Sequence, residues 1–514
     1  MSPGKVVTNF RLSMLDGDPA DKTALLINPP VYDTQYWARW SQPYGLLRIA
    51  SLLRDAGYKR RELYDFMEVD DKGRVRHHRI SAHESYEERN EPTKPSAPWR
   101  VAKDEEKIDF WKAHYGRSWE HLDKWLDDHG FTAQNPPDEI YISAIMTYWW
   151  EGVRDLTARL RRRFGKNTVI IVGGIYPTLC PQHCAELTSA DLVVAGEVAD
   201  ANDLWPDLSL YERPPDYAIV TPARGCPYNC AYCAQRTINA SRRKVAYRPA
   251  KDIVAEIQHQ VDTYGVKDIA FYADFLLWDS ENNFEQVLKA LVADPARRVR
   301  LHAPEGLDVR YLNRSQKLVD LMRAARFAKL YLPVENIDET YLKTMNRRHV
   351  RLKDFVDAVR ACERAGFKLR NLEVNAFVLY GLPRESIDGV VKTVLFVSEV
   401  LGSIIPMLFT PVPTTGIYED YLPYFRTRGW DRDLHMLNGK VYPFLELNEG
   451  SLSDYVDLQR MMFMLNTHYR DASFRPFSES RVSESFRGNL GNAFYKFITT
   501  GLTEPDYLQA SDRD

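Results

Sequence analysis

The sequence predicts an α/β protein with three parts: a Rossmann-like doubly wound sheet, a partial (β/α)6 barrel and a mostly helical C-terminal region. Strand-like and helix-like stretches alternate in two series, the first from about residue 24 to 200 and the second from about 217 to 430. Such alternation favours parallel βα units. A length of 514 residues suits about three domains. We place them at 1–205, 206–430 and 431–514.

The first series begins with the apolar strand ALLINPP at 24–30 and a helix that starts near Gly45. A second strand ends at Asp65. The stretches DEIYISAIMTYWW, NTVIIVGG and DLVVAGE then supply three more strands with their loops, separated by helices. Doubly wound sheets bind ligands beyond the carboxyl ends of their strands. The IVGG loop is not the G-x-G-x-x-G fingerprint of dinucleotide binding, so we do not expect NAD.

A charged insertion at about 71–136 interrupts this first series. Its first half contains prolines and few aliphatic residues, which is typical of a long excursion from the fold. Its second half, near 108–130, has amphipathic spacing. We predict a pair of helices there, packed beside the domain interface.

The second series supplies six strands, and the stretch RGCPYNCAYCAQR at 224–236 directly follows the first of them. In (β/α) barrels the chemistry lies at the carboxyl ends of the strands, so this loop is on the expected side. It holds half of the six cysteines, Cys226, Cys230 and Cys233. Their C-x3-C-x2-C spacing can bind one four-iron cluster and leave one iron open. A zinc knuckle or three unrelated thiols are the alternatives.

The other three cysteines do not suggest a second cluster. Cys180 and Cys184 flank His183 on a predicted helix, and Cys362 lies on another helix. We interpret all three thiols as packing residues. A methylthiotransferase would need a further N-terminal cysteine triad, which this sequence lacks.

The cysteine spacing, with Tyr232 just before the last cysteine, resembles the radical S-adenosylmethionine (SAM) superfamily. Later strands carry matching segments: FYADF with Asp274, LPVENID with Glu335 and Asn336, VLYGLPRES with Val378 to Gly381, and FTPVPTTGIY. The resemblance implies one [4Fe-4S] cluster held by the three cysteines. It also implies SAM contacts at Asp274, Glu335, Asn336 and the backbone of Val378 to Gly381. Glu385 is expected to cap the next helix, and Thr414 stands where the family has glycine.

The first series resembles the cobalamin-binding domain that is fused to many radical SAM enzymes, through its N-P-P, P-x-G-L-L, G-G and G-E segments. The cobalt-ligating D-x-H-x-x-G motif is absent. Trp149 or Trp150 is therefore expected to shield the lower face of cobalt. The residues that the resemblance assigns to cobalamin are Pro43, Gly45, Ser143, Thr147, Trp149, Gly173, Gly174, Gly196 and Glu197.

Composition agrees with a globular enzyme of the cytoplasm. The formal net charge of −3 gives no footprint for nucleic acid, and no apolar run is long enough for a membrane span. The resemblance implies a cobalamin-dependent radical SAM C-methyltransferase that acts on an unactivated carbon of a small molecule or peptide. A flavodoxin- or ferredoxin-type protein would donate the electron. The alternatives are a non-methylating radical cyclase, rearrangement or C–C coupling enzyme, and a cobalamin- or redox-responsive binding module.

Overall fold

The computed structural model describes residues 3–36, 40–68, 77–79, 99–103, 106–110, 112–239, 244–294, 299–369 and 373–470. The strands are β1 Lys5–Val7, β2 Thr23–Asn28, β3 Val31–Asp33, β4 Arg60–Asp65, β5 His77–Arg79, β6 Trp99–Lys103, β7 Glu106–Phe110, β8 Ala113–Tyr115, β9 Glu139–Ser143, β10 Val169–Gly173, β11 Leu192–Val194, β12 Tyr217–Val220, β13 Ala223–Arg224, β14 Ala246–Tyr247, β15 Asp268–Phe271, β16 Arg300–His302, β17 Phe327–Glu335, β18 Val374–Tyr380 and β19 Ile404–Leu408.

The α-helices are α1 Tyr44–Asp55, α2 Trp119–Asp128, α3 Trp150–Phe164, α4 Ile175–Leu179, α5 Pro181–Leu187, α6 Gln235–Ile238, α7 Ala250–Tyr264, α8 Phe284–Ala293, α9 Val309–Arg314, α10 Gln316–Ala324, α11 Glu339–Thr344, α12 Leu352–Arg364, α13 Ile387–Val400, α14 Gly416–Arg426 and α15 Leu452–Arg470. In the described part of the chain, none of these helices combines the length and the apolar character that crossing a bilayer requires.

The first sheet is a parallel, doubly wound sheet with strand order β1-β11-β10-β9-β2-β4. Its central strand β2 is buried over Ala24 to Asn28, because helices cover both faces. The order reverses between β2 and β9, so their loops diverge there and leave a crevice at the carboxyl ends of the strands. The predicted Rossmann-like sheet is confirmed.

The second sheet runs β12-β15-β16-β17-β18-β19, with every described neighbour pair parallel. This is the expected partial (β/α)6 barrel. Helix α7 ends as predicted at Gly265, whose φ of 69° closes the last turn in the left-handed conformation. Along β17 the residues Leu330, Leu332 and Val334 are buried in the core, and the residues between them are only half-buried.

The insertion corrects one prediction. In the part of the insertion that the structure describes, α2 is the single α-helix, whereas residues 106–110 and 113–115 are strands. Strand β8 pairs antiparallel with β3, with Val31 opposite Tyr115. Strand β3 follows β2 of the first sheet. Its pairing with β8 therefore outweighs the amphipathic spacing that suggested a second helix.

The two sheets share one hydrophobic core along α1. Leu46, Leu47 and Leu53 of α1 belong to the same buried cluster as barrel residues such as Ala218 and Ile253. The second hydrophobic cluster lies on the other side of the first sheet. It includes Phe409, Phe425 and Leu434, which follow β19. The C-terminal segment therefore packs back onto the N-terminal sheet, and its α15 agrees with the predicted helical region.

Candidate active site

The cysteine loop leaves the carboxyl end of β12 and is braced by the small β13–β14 hairpin. Cys226 and Cys230 are half-buried, Cys233 is exposed, and all three are free thiols. The Cys233 N–H donates to the Cys230 carbonyl at 3.1 Å, which folds the loop back on itself. Desolvation by surrounding protein atoms raises the pKa of half-buried Cys226 and of Cys233, which stays solvent-accessible, to about 11, so cluster binding must displace protons from these thiols.

The three thiols fit an iron–sulfur cluster better than a single metal ion. Within the described residues, no group of three or more His, Cys, Asp or Glu side chains is arranged to hold one metal ion. A zinc knuckle needs such convergence. In a four-iron cluster each thiolate binds a different iron, so the sulfurs stay apart around one loop.

Asp274 lies at the end of the second barrel strand and holds the cysteine loop. Its Oδ2 accepts from the Gly225 N–H at 2.7 Å and from Asn239 Nδ2 at 3.0 Å. Gly225 directly precedes Cys226, so this carboxylate positions the first cysteine. Asp274 therefore stabilises the cysteine loop. Its predicted contact with SAM stays a prediction.

Glu335 lies beside the cysteine loop and shares a buried charge network with two other residues. Arg347, 8% exposed, donates to the Tyr232 hydroxyl at 2.6 Å and lies 3.5 Å from Glu335. The Tyr232 hydroxyl is also 3.5 Å from Glu335 Oε1. Burial raises the pKa of Glu335, and Arg347 opposes that shift. Sequence reasoning missed Arg347, because 115 positions separate it from Tyr232.

The side-chain oxygen of Asn336 has a structural role, and its predicted ligand contact stays a prediction. This side chain is 5% exposed, and its Oδ1 accepts from the Asp338 N–H at 2.8 Å and from Thr393 Oγ1 at 3.4 Å. Its oxygen therefore stabilises the turn that leads into α11.

Glu385 also acts differently from the prediction. It does not cap α13, whose N-cap is Ser386. Its Oε1 instead accepts from the Gly381 N–H at 2.8 Å and shapes the turn after β18. Gly381 has a φ of 82°, and the side chain of Val378 is buried in the helix-side core, so the backbone at this strand end is the part available to a ligand. Thr414 has a φ of 74°, in the left-handed region that favours glycine, and the family has glycine at this position.

Several buried polar atoms around the cysteine loop have no hydrogen-bond partner among the residues that the structure describes. They are both amide atoms of Gln235, Arg236 Nε, Asn239 Oδ1 and Arg347 Nε. Buried polar groups are nearly always hydrogen-bonded, so this concentration indicates a place for a polar ligand such as SAM. Gln235 is 8% exposed and begins α6 two residues after Cys233. Sequence reasoning missed it, although it lies within the quoted cysteine stretch.

A further missed acid is Glu305, in the loop after β16. This loop lies over the inner face of the barrel, since a Cβ on Gly306 would be 3.3 Å from the Phe377 ring. Glu305 remains solvent-accessible although protein atoms surround it at the barrel mouth. Desolvation there, together with the charge of Asp274, raises the pKa of Glu305 to about 7.

A pocket lies at the switch point of the first sheet. Two loops form it, residues 28–31 after β2 and residues 143–146 after β9, together with Tyr36, Ser41, Met67, Trp149 and Val153. The space between its walls is about 410 Å³, and this value includes the part that opens to solvent. Doubly wound sheets bind their ligands at this position.

Of the residues predicted to contact cobalamin, Ser143 and Trp149 line this pocket. Trp149 Nε1 donates to Asp33 Oδ2 at 2.8 Å, which fixes the indole against the pocket. Trp150 is 7% exposed and packs against His183 instead, with ring centroids 5.2 Å apart. The remaining predicted residues do not line it: Pro43, Gly45, Thr147, Gly173, Gly174, Gly196 and Glu197.

Several of these residues have roles in packing, and their contact with cobalamin stays a prediction. Pro43 precedes α1 and is buried beside the barrel, and Gly45 is exposed on α1. Thr147 is 3% exposed. A Cβ on Gly174 would lie 2.4 Å from the Ala144 carbonyl oxygen, so the close approach that requires glycine is to a neighbouring loop.

His183 is already committed to two protein partners. Its Nδ1 and the Tyr176 hydroxyl are 2.7 Å apart, and its Nε2 lies 2.7 Å from the Arg432 carbonyl oxygen. Burial lowers the pKa of His183, so the ring is neutral with one N–H, which donates to Arg432. This histidine is unsuited to binding a metal.

Comparison with known proteins identifies the class. The sequence model of the radical SAM superfamily matches residues 220–397, which contain the cysteine loop and four of the five later barrel strands. Residues 220–397 therefore form a radical SAM domain, and proteins of that superfamily use a [4Fe-4S] cluster and SAM.

The fold over most of the chain is that of a solved methyltransferase. The structure of TsrM from Kitasatospora setae, with cobalamin and a [4Fe-4S] cluster bound, superposes with a TM-score of 0.54 at 14% identity and covers 79% of this chain and 75% of that one. A tRNA-2-methylthio-N(6)-dimethylallyladenosine synthase of Sulfurihydrogenibium sp. is 26% identical over 38% of this chain. An uncharacterised methyltransferase of Pyrococcus horikoshii is 21% identical over 40% of it. The matches span 44% and 41% of those two proteins, so this chain aligns with less than half of either.

Proposed function

We propose that the protein is a cobalamin-dependent radical SAM C-methyltransferase that acts on an unactivated carbon. The observation that carries the proposal is the switch-point pocket, which opens on the same side as the cysteine loop. Helix α4 begins at the carboxyl end of β10 and packs against α6, which begins two residues after Cys233. The Trp40 carbonyl also accepts from the Tyr272 hydroxyl, just beyond β15, at 3.1 Å. The ligand ends of the two sheets therefore face one another.

The residues present suit these cofactors. Cys226, Cys230 and Cys233 would hold the cluster, and Asp274 would position their loop. SAM would bind beside Glu335 and the backbone at Gly381, and the amide of Gln235, two residues after Cys233, would offer it further hydrogen bonds. These groups together would supply reductive cleavage of SAM and methyl transfer, while the protein orients the reactants and excludes water.

The switch-point pocket is smaller than a whole corrin, so its residues would hold one part of cobalamin. The indole of Trp149 and the Tyr36 ring, whose centroids are 5.7 Å apart, offer an apolar wall there. No histidine lines the pocket, which favours a cobalt without a protein imidazole.

A methylthio transfer, the reaction named for several relatives, is the weaker assignment. It needs a second cysteine set. In this chain the remaining cysteines are Cys180 and Cys184 at α5 and Cys362 on α12, which belong to different sheets. A radical reaction without methyl transfer is the second candidate from the sequence.

The test is anaerobic turnover of SAM with and without cobalamin. We expect 5′-deoxyadenosine from the reconstituted protein and cobalamin-dependent formation of S-adenosylhomocysteine, the product left when SAM gives up its methyl group. Ser143→Trp fills the pocket and should abolish the second product only. Asn167→Trp, at an exposed position near the opposite end of the sheet, is the matched control. 5′-Deoxyadenosine without S-adenosylhomocysteine would replace methyl transfer with a non-methylating radical reaction.

A further inference from the structure

The segment 343–353, sequence KTMNRRHVRLK, concentrates positive charge beside the cysteine loop. It contains five lysines and arginines and no acid, in a chain whose formal net charge is −3. Lys343, Arg348, Arg351 and Lys353 are exposed, whereas Arg347 is buried in the network with Tyr232. We call the exposed cations Lys343, Arg348, Arg351 and Arg314 the basic surface.

The basic surface is attached directly to the cysteine loop. The Ala231 N–H donates to the Met345 carbonyl at 2.9 Å, and exposed Asn346 donates from Nδ2 to the Asn229 carbonyl at 2.6 Å. Asn229 is itself exposed and precedes Cys230. The basic surface is therefore joined to the cysteine loop at exposed residues directly beside Cys230.

Two more contacts extend the surface around the loop. The rings of Tyr228 and His349 stack with centroids 3.8 Å apart, and Tyr228 lies between the first two cysteines. Helix α9, which carries Arg314, packs on α12, and Asn313 Nδ2 donates to Asp354 at 3.0 Å. Arg314 therefore shares this side of the barrel with the segment 343–353.

The charge on this surface is mostly uncompensated. Among the residues that the structure describes, Lys343, Arg348 and Arg314 form no ion pair within 4.0 Å, and Arg351 is 3.4 Å from Asp354. Two exposed acids precede the segment: Asp338 accepts from the N–H groups of Thr340 and Tyr341, and Glu339 accepts from the Leu352 N–H. Exposed cations without partners leave a positive field that attracts an acidic partner.

We propose that the basic surface is the docking site for an acidic electron-transfer protein that delivers one electron to the cluster. This inference rests on the proposed radical SAM chemistry, which needs one electron from outside the chain. A reduced flavoprotein of the flavodoxin class would lose that electron, passing from hydroquinone to semiquinone, and the cluster would gain it. Such encounters are small, transient and driven by charge complementarity, which suits a charged surface without an apolar patch.

The test compares two double charge reversals that change net charge equally. Lys343→Glu with Arg348→Glu alters the basic surface. Lys59→Glu with Lys166→Glu alters exposed lysines near the amino-terminal ends of strands in the first sheet and is the control. Calorimetric titration with a flavodoxin should show at least about tenfold weaker binding for the first variant, a shallower salt dependence, and no change for the control.

A second readout separates docking from damage to the site. With dithionite, a small reductant that needs no docking surface, both variants should form 5′-deoxyadenosine at the wild-type rate. With limiting flavodoxin, only the Lys343→Glu, Arg348→Glu variant should slow. Unchanged flavodoxin affinity, or an equal loss with dithionite, would overturn the proposal. So would loss of binding to a fluorescent tRNA with flavodoxin binding intact, which would make the patch a nucleic-acid surface. Failure of the wild type to cleave SAM with dithionite would instead count against the proposed function.

Discussion

At the scale of single residues, Asp274 is predicted to contact SAM and also accepts a hydrogen bond from the cysteine loop. We expect Asp274→Ala to weaken cluster retention about tenfold in a chelator challenge, since supporting residues commonly have effects of that size. The physical reason is the lost acceptor for the Gly225 N–H beside Cys226. Iron release during timed exposure to a chelator measures it.

Asp274→Asn is the matched control for that change. The amide oxygen can still accept from Gly225, so iron should be retained, while the lost negative charge should weaken binding of the SAM ammonium group. Equal iron loss in both variants would contradict the assigned hydrogen bond.

Glu385 gives a prediction about pH. Burial raises the pKa of Glu385 to about 8, well above the value of a free carboxyl in the unfolded chain. Between about pH 4.5 and pH 8 the folded state therefore holds a proton that the unfolded state releases, and stability falls as pH rises, by up to about 1.4 kcal/mol per unit. Glu385→Gln should remove this dependence.

Urea unfolding of wild type and Glu385→Gln at pH 5 and pH 8 measures the difference. The variant should be more stable relative to wild type at pH 8 than at pH 5. A constant difference at both pH values would mean that Glu385 is charged in the fold at pH 5.

At the scale of elements, the alternation of strands and helices was readable because each element carries its own local signal. Gly265 ended its helix where predicted. The insertion was misread as a helical pair because the spacing of residues 106–115 is local information, whereas the pairing of β8 with β3 is not. Long-range partners such as Arg347 and Tyr232 were likewise invisible to sequence reasoning.

The loop after β10 gives a prediction at this scale. Gly174→Ala should destabilise the fold by about 2 kcal/mol or more, because a residue with a φ of 109° would also place Cβ 2.4 Å from a carbonyl oxygen. Gly45→Ala should stabilise by about 0.5–1 kcal/mol, since Gly45 is helical with open space around it. Thermal unfolding of both variants checks the pair. Equal effects would contradict the packing explanation for Gly174.

At the scale of the whole molecule, one buried carboxylate ties the C-terminal segment to the pocket. Asp33 is 0% exposed and accepts from Trp149, from Asn438 at 3.1 Å and from Lys440 at 2.9 Å. Asp33→Ala should therefore cost about 3 kcal/mol in urea unfolding, because it leaves buried partners unpaired. Lys124→Ala, which breaks the exposed pair with Asp128, should cost less than about 0.5 kcal/mol. Similar costs for the two would show that Asp33 does not secure this segment.

The sequence predicted a cluster-binding role for the cysteine loop and predicted the first sheet, but it did not reveal all the residues around either the loop or the pocket. The three cysteines lie within eight residues of the chain, so their spacing alone could suggest a cluster-binding loop. The pocket depends on how loops from β2 and β9 diverge, and only Ser143 and Trp149 of the assigned residues reach it. Glycines assigned to ligand approach, such as Gly174, instead serve contacts between loops.

The central claim is that one chain holds both a cluster and cobalamin on facing sheet ends. Its most direct test is the cofactor content of the protein after anaerobic reconstitution and gel filtration. The account predicts about four irons and about one cobalamin per chain, with the cobalamin lost and the iron kept in Ser143→Trp. Four irons without cobalamin in the wild type, or cobalamin that survives Ser143→Trp unchanged, would contradict it.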